Sequence, residues 1–341
     1  FIIFEMSKFT NNDNSFQKKI ITVGGGKGGV GKSIIAANLA VGLALHGKRV
    51  IIVDADLGAA NLHTILGIKS PPHGLKDFIF HGYPLRAILV DTGVENLKFI
   101  SGAGDIPGIS NIPHHVKWKL INHFKTLATD YLVIDLAPGI SHNIIDLFNI
   151  TDNGILITTP EITSVLNTYS YVKAALYRRF MDAFKNNAEV REMIEIPREA
   201  DNGFRIKGIT GLKERLSILN DSNRDITDNI IHRFCPRLIL NRVRSSQDIT
   251  ISENIQLLIK KNLGVEIENL GYVVESESVM SSIENMKPFI IGDPQNKPSM
   301  CIQDIIYKLC NFTSKRGSTG DSLSPINHDY FEACSHESLG Y

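Results

Sequence analysis

The 341-residue chain is poor in the features that mark disulfide scaffolds, metal cages and membrane spans. It has four cysteines, Cys235, Cys301, Cys310 and Cys334, and none stands in a CxxC pair. That spacing excludes a disulfide framework and a zinc site and fits ordinary thiols in a reducing cytoplasm. It has no net charge either: 36 lysines and arginines balance 36 aspartates and glutamates. Without a global field, binding to nucleic acid or anionic lipid would need a local patch. No apolar run reaches membrane-spanning length. The opening FIIFEM is too short for a signal-peptide apolar region and follows no basic residues, so Met6 is read as the start and the expected location is cytoplasmic. No internal repeat is evident.

Hydrophobic residues make up 43% of the chain, enough for a large core. The polar stretch 7–18 (SKFTNNDNSFQK) reads, with what precedes it, as a flexible arm over residues 1–18. From Lys19 onward, short β-branched runs alternate with amphipathic segments. Strands are expected at 20–23, 50–53, 97–100, 131–134, 154–159, 238–240 and 272–274. Helices are expected at 33–46, 116–127, 162–180 and from about 279. This alternation predicts an α/β fold, a mostly parallel twisted sheet with helices on both faces. In such sheets function collects at the carboxyl ends of strands. The charged stretch 181–236 reads as a helical insertion within a domain over 19–312. Residues 313–341, rich in Ser, Gly, Asn and charge, read as a disordered tail.

One motif dominates. Gly26, Lys27, Gly28, Gly29, Val30, Gly31, Lys32 and Ser33 (GKGGVGKS) fit G-x-x-x-x-G-K-[ST] between a strand and a helix. Glycines let consecutive backbone N–H groups turn inward onto phosphate oxygens, and the following helix adds its positive end. Lys32 is placed to neutralise β- and γ-phosphate charge, and Ser33 to complete a Mg²⁺ shell. A P-loop that binds ATP is therefore expected, making the chain an ATPase.

The second lysine, Lys27, makes the loop resemble KGGxGK[ST], the deviant Walker signature of the MinD/ParA family. That family includes MinD, ParA, the flagellar regulator FlhG (FleN), the nitrogenase iron protein and Mrp-type carriers, and the look here is that of the MinD/FlhG branch. The resemblance implies a P-loop NTPase fold and an ATP-dependent homodimer in which Lys27 reaches the partner's nucleotide. VIIVDADLGAANLHTILG (residues 50–67) resembles the next family signature. It implies Asp56 as the residue positioning the attacking water, Asp54 as support for the metal shell, and Asn61 as a reporter of nucleotide state. The strand ending at Asp135 resembles Walker B, so Asp135 is the expected Mg²⁺ ligand. Gly139 matches the glycine of the family's D-x-P-x-G switch, although its proline is displaced in Asp-Leu-Ala-Pro-Gly. LILNR (238–242) makes Asn241 the candidate reader of the adenine edge. LGYVVESESV (270–279) resembles the loop closing over the base, with Val274-Glu275-Ser276 replacing the usual Pro-x-Asp.

The resemblance implies an ATP-switched spatial regulator of flagella or of the division site, slow in turnover and stimulated by a protein partner. A ParA-type partition ATPase is the alternative; it would need DNA binding, which the neutral charge disfavours. An Mrp-like iron–sulfur carrier would need the absent CxxC. Membrane contact through Ile302, Ile305, Ile306 and Leu309 is a weaker expectation than packing of that last helix on the sheet. His114-His115 lacks partner ligands, Trp118 reads as packing, and Arg178-Arg179 reads as a solvated helix face.

Overall fold

The computed structural model describes residues 18–102, 113–195 and 220–311, with Leu212 and Leu216 between the last two segments. Residues 1–17 of the expected arm, the tail and most of 196–219 lie outside the described residues. Eight strands form one sheet in the order β3-β4-β2-β5-β1-β6-β7-β8. They are β1 (Lys19–Gly24), β2 (Val50–Ala55), β3 (Val90–Asp91), β4 (Leu97–Ile100), β5 (Tyr131–Leu136), β6 (Ile155–Thr158), β7 (Arg237–Val243) and β8 (Glu268–Val274). All neighbours run parallel except β3, a two-residue edge strand antiparallel to β4.

The parallel sheet follows from the strand sequences. YLVIDL of β5 is buried along its whole length, as a strand covered on both faces must be. The helices that cover it are α1 (Lys32–Leu45), α2 (Leu62–Ile65), α3 (Leu75–Phe80), α4 (His114–Thr126), α5 (His142–Phe148), α6 (Ile162–Ala183), α7 (Ala188–Glu195), α8 (Asp221–Arg233), α9 (Ser246–Leu263), α10 (Glu277–Glu284), α11 (Phe289–Gly292) and α12 (Lys297–Asn311). Two of them lie in the 181–236 stretch, and Leu212 and Leu216 there are buried in the core. Helix α9, which the sequence reading passed over, carries its own signals: Asp248 accepts from the Ser245 and Arg244 N–H groups at its start, and Gly264 ends it at φ 66°.

One core layer joins the sheet to α4–α6 and α9 through residues such as Leu132, Ile134, Phe148, Tyr171 and Ile255. The other holds α1 between the sheet and α12. Helix α1 is apolar almost all round because both its sides are covered. Gly42 permits this: a Cβ there would stand 2.2 Å from Ile306 Cδ1. Ile302, Ile305, Ile306 and Leu309 are all buried in this layer. Exposing four such side chains would cost on the order of 6–12 kcal/mol, so packing, not membrane contact, is what this stripe does here. No described helix is long and apolar enough to cross a membrane.

The Arg178-Arg179 pair is not a solvated face. Arg178 Nε donates to Asp146 Oδ1 at 2.5 Å, and Lys117 donates to Asp146 as well, so α4, α5 and α6 meet at one buried carboxylate. Arg179 binds Asp152 at 2.5 Å and lies over the Phe234 ring. The sequence showed two adjacent cations; the carboxylates they hydrogen-bond lie 32 and 27 residues away. Burial pulls the Asp146 carboxyl up, but hydrogen bonds from Arg178 and Lys117 outweigh it and hold it below the ordinary carboxylate value.

Replacing Asp146 by Ala strands a buried ammonium on Lys117 and should cost about 3–5 kcal/mol, read by urea unfolding at neutral pH. Because the folded carboxyl titrates lower than the unfolded one, its contribution is present above about pH 4 and is lost as pH falls through the folded value. The wild-type chain should therefore lose stability faster on acidification than Asp146→Asn. Parallel pH profiles for the two would refute the assignment.

Candidate functional site

Strand β1 ends at Gly24, and α1 begins at Lys32 after seven intervening residues. Three glycines let the loop pass neighbours that a side chain would strike. A Cβ at Gly24 would stand 2.5 Å from the Tyr171 hydroxyl, and one at Gly26 would stand 2.5 Å from the Asn167 carbonyl, both on α6. Gly28 and Gly29, at the crest, meet nothing within 4 Å. Close packing thus holds the flanks of the loop while its crest stays open. Gly31 precedes α1 at φ 90°, and a Cβ there would stand 2.2 Å from Asn241 Nδ2.

The first turn of α1 has no side-chain cap and no acidic residue. Its leading N–H groups and the positive end of its dipole are left for an anion. Lys32 is buried, which lowers its pKa, while Asp135 and Asp56 oppose that shift. A buried ammonium at the head of an uncapped helix is a cationic hollow built for anionic oxygens.

Facing it are two acids on neighbouring strands. Asp54 of β2 and Asp135 of β5 are register partners. Asp54 Oδ1 accepts from the Asp56 N–H and Oδ2 from the Leu62 N–H, both at 3.1 Å. Burial pushes Asp54 up to about 7 against those two bonds. Burial, and then the nearby Asp54, push Asp135 up to about 8, although the Ser33 hydroxyl bonds to it and Lys32 stands close. Asp135 Oδ1 is buried with no hydrogen-bond partner. An orphaned carboxylate oxygen beside a serine hydroxyl, with a second acid adjacent, is the donor set of a hard divalent cation such as Mg²⁺. The residues fit the expected metal, and the uncapped start of α1 with Lys32 suits anionic oxygens such as those of a phosphate.

The other expected residues fall around this centre. Asp56 is half-buried, and its Oδ1 accepts from the Gly58 N–H at 3.3 Å and the Ala59 N–H at 3.0 Å. These bonds brace the turn after β2 and leave the acid close enough to act on Lys32 electrostatically. Asn61 is exposed at the head of α2. Gly139, at φ 103°, donates its N–H to the Gly25 carbonyl at 3.3 Å, which ties the segment after β5 to the loop despite the displaced proline. Lys27 is exposed and reaches the Thr163 hydroxyl of its own chain at 3.4 Å, so it does have a contact within one subunit. Asn241 sits against the phosphate loop, donating Nδ2 to the Val30 carbonyl at 2.9 Å. Val30 itself is buried.

Sequence reasoning passed over Thr158. Its hydroxyl is buried without a partner at the end of β6, whose neighbouring Ile157 carbonyl abuts Gly25. A threonine pair at a strand exit was its only signal. His114 and His115 gather no ligands, and no cluster able to hold a metal through three His, Cys, Asp or Glu side chains occurs among the described residues. Trp118 is 40% exposed and donates to His114 at 2.8 Å, so it belongs to the surface and not to the core.

Comparison with known proteins agrees with the fold. Residues 17–176 match the ParA family, described as NUBPL iron-transfer P-loop NTPase. The flagellum site-determining protein YlxH of Helicobacter pylori is 35% identical over 172 residues, 47% of this chain and 55% of its own length. The chain thus spans about half of that relative. An uncharacterized ATP-binding protein of Methanocaldococcus jannaschii is 30% identical over 221 residues, 61% of this chain and 76% of its own length. The septum site-determining protein MinD of Pyrococcus horikoshii, complexed with Mg-ADP, superposes with a TM-score of 0.59 at 21% identity, covering 87% of this chain and 98% of that one. At that identity the superposition speaks for the fold.

The Gly31 geometry makes a prediction that needs no ligand. Gly31→Ala should lose about 2 kcal/mol, from left-handed backbone at a residue with a Cβ and from the clash with Asn241. In the double variant with Asn241→Ala, part of the loss should return while the backbone part remains. Additive losses in denaturant melts would show that the two residues do not touch.

Proposed function

This chain belongs to the MinD/ParA family of P-loop NTPases, and from that premise we propose that it is an ATP-hydrolysing switch that dimerises with ATP and acts as a spatial regulator of a cell structure. The observation that carries the reading is the cationic hollow of Lys32 and the α1 amino end, faced by the Asp54–Asp135 pair with its orphaned oxygen. A relative named flagellum site-determining and a structural neighbour named septum site-determining support flagellar placement or division-site selection as the task. Two other family roles, DNA partition and iron–sulfur transfer, draw less support. Charge is balanced overall, and none of the three cysteines among the described residues belongs to a CxxC pair.

In this reading the residues divide the work. The loop N–H groups from Gly26 to Ser33 bind phosphate oxygens, and Lys32 adds its charge at the β/γ end. Ser33 and Asp135 would hold Mg²⁺, with Asp54 behind them. Bound there, Mg²⁺ would offset phosphoryl charge as it develops in the transition state. Asp56, at the lip of β2 beside Lys32, orients a water for attack and accepts its proton. Its Oδ1 is already aimed by the Gly58 and Ala59 N–H groups, so the carboxylate needs little reorganisation. Asn241 holds the loop from the β7 side and stands where base recognition would begin. Lys27 is the residue proposed to leave Thr163 and cross to a partner's nucleotide. Slow turnover, a partner protein that speeds it, and a cytoplasmic setting are parts of the same proposal.

Asp56→Ala should keep ATP affinity within about twofold and lose two to three orders of magnitude in phosphate release. It should therefore accumulate as an ATP-bound dimer in light scattering. Collapse of affinity along with rate would make Asp56 a structural or metal group instead. Lys27→Ala should bind ATP and stay monomeric with a non-hydrolysable analogue, and a Lys27→Ala dimer would overturn the crossing role.

A further inference from the structure

Helix α6 changes character along its buried face. Beside the phosphate loop that face carries Ser164, Thr168 and Tyr171, and beyond them Val172, Leu176 and Phe180. Positions i, i+4 and i+7 share one side of a helix, so the first three form a hydroxyl-bearing stripe where α6 meets the loop. Two of the three are satisfied. Thr159 Oγ1 donates to Ser164 Oγ at 2.7 Å, and Thr168 Oγ1 donates to the Ser164 carbonyl at 2.8 Å. The Tyr171 hydroxyl is not: it is fully buried and has no hydrogen-bond partner among the described residues.

Packing does not explain that hydroxyl. The ring stands edge-on to Phe148, with centroids 5.0 Å apart at 86°, a contact that phenylalanine would make as well. Burial holds the phenol far above the ordinary tyrosine value, so at neutral pH it keeps its proton and remains a donor. A buried donor without an acceptor costs the free protein stability. The position of the hydroxyl shows where an acceptor can come from. It lies against Gly24, where a Cβ would meet it at 2.5 Å. Gly24 is the last residue of β1, and Gly25 and Gly26 follow it into the loop. A turn of successive glycines can rotate its peptide planes at little steric cost. The N–H and C=O of one trans peptide plane point in opposite directions. When phosphate draws the N–H groups of this loop inward, the carbonyls of the same planes are driven outward, toward the elements packed around it. On the Gly24 and Gly26 side that element is α6.

Resting on the nucleotide reading above, we propose that Tyr171 is a positioning residue of the phosphate loop: when the loop closes on phosphate, a carbonyl of the Gly24–Gly26 turn swings outward and accepts a hydrogen bond from the Tyr171 hydroxyl. Tyr171 touches no ligand in this arrangement. It acts through the backbone, holding the loop N–H groups in the orientation that phosphate requires, and in the free protein its hydroxyl stays unpaired.

The test compares Tyr171→Phe with wild type in the full chain. The measurements are thermal melts without ligand, equilibrium binding of Mg-ATP and of Mg-tripolyphosphate, and amide hydrogen exchange over the loop with Mg-ATP saturating. The variant keeps the ring and should melt at or above the wild-type temperature. It should bind both compounds about fivefold more weakly, the worth of one neutral hydrogen bond. Its loop amides should exchange faster than those of wild type in the bound state. Wild-type affinity in the variant would overturn the proposal. A lower melting temperature without ligand would mean that the hydroxyl is already satisfied in the free protein, and would overturn it too. A loss for ATP alone would place the effect at the nucleoside, and equal exchange in the two bound proteins would leave the loop unaffected; either result overturns it. Wild-type protein that binds neither compound would instead sink the nucleotide reading, and this proposal with it.

Discussion

Two carboxyl groups and one ammonium are buried together at the carboxyl edge of an otherwise apolar sheet. Asp54 and Asp135 exit adjacent strands in register, and Lys32 opens the helix that faces them. Taking a single charge out of water costs several kcal/mol, and two like charges side by side cost more. The nucleotide-free chain bears part of that cost by holding both acids well above the carboxylate range. One oxygen of Asp135 has no partner at all. Such an arrangement costs the free protein stability that a bound cation and anion would return. That is the physical sense in which the site is prepared for a metal–phosphate ligand.

The rest of the fold keeps this cluster from relaxing. Helix α6 presses against the phosphate loop through Gly24 and Gly26, and Asn241 closes the other flank at Gly31. Gly139 ties the segment after β5 to Gly25. Below, Asp146 joins α4, α5 and α6 through Lys117 and Arg178, so the helix that follows that segment is anchored. On the opposite face α1 is clamped between sheet and α12 by Gly42 and Ile306. The loop crest at Gly28 and Gly29 is left open, and the exposed Lys27 side chain bonds to Thr163.

Some of this was legible in single residues. GKGGVGKS between a strand and a helix has few other physical meanings, and the β-branched runs ending in Asp54 and Asp135 announced buried strands with acids at their exits. The capping signals around α9 were present in Ser245, Asp248 and Gly264 and were simply not used. Other features had no local signal. The two-residue β3 is too short for any periodicity. Arg178 and Arg179 looked solvated because the carboxylates they hydrogen-bond, Asp146 and Asp152, lie outside α6. The stripe of α12 reads the same whether its cover is lipid or another helix, and only Ile306 against Gly42 decides between them.

By itself the sequence determined the α/β class, the position of the phosphate loop and the acids that serve it, because each depends on a few adjacent residues: a glycine run, a hydrophobic strand, a carboxylate at its end. Strand order belongs to tertiary structure. Placing β5 between β1 and β2 brings Asp135 beside Asp54, although 80 residues separate them in the chain. The same holds for the placing of Asn241 against Val30, of Lys27 at Thr163 and of Tyr171 against Gly24. Each is a contact between distant segments, fixed by which strands pair and how helices pack, and no local pattern encodes it.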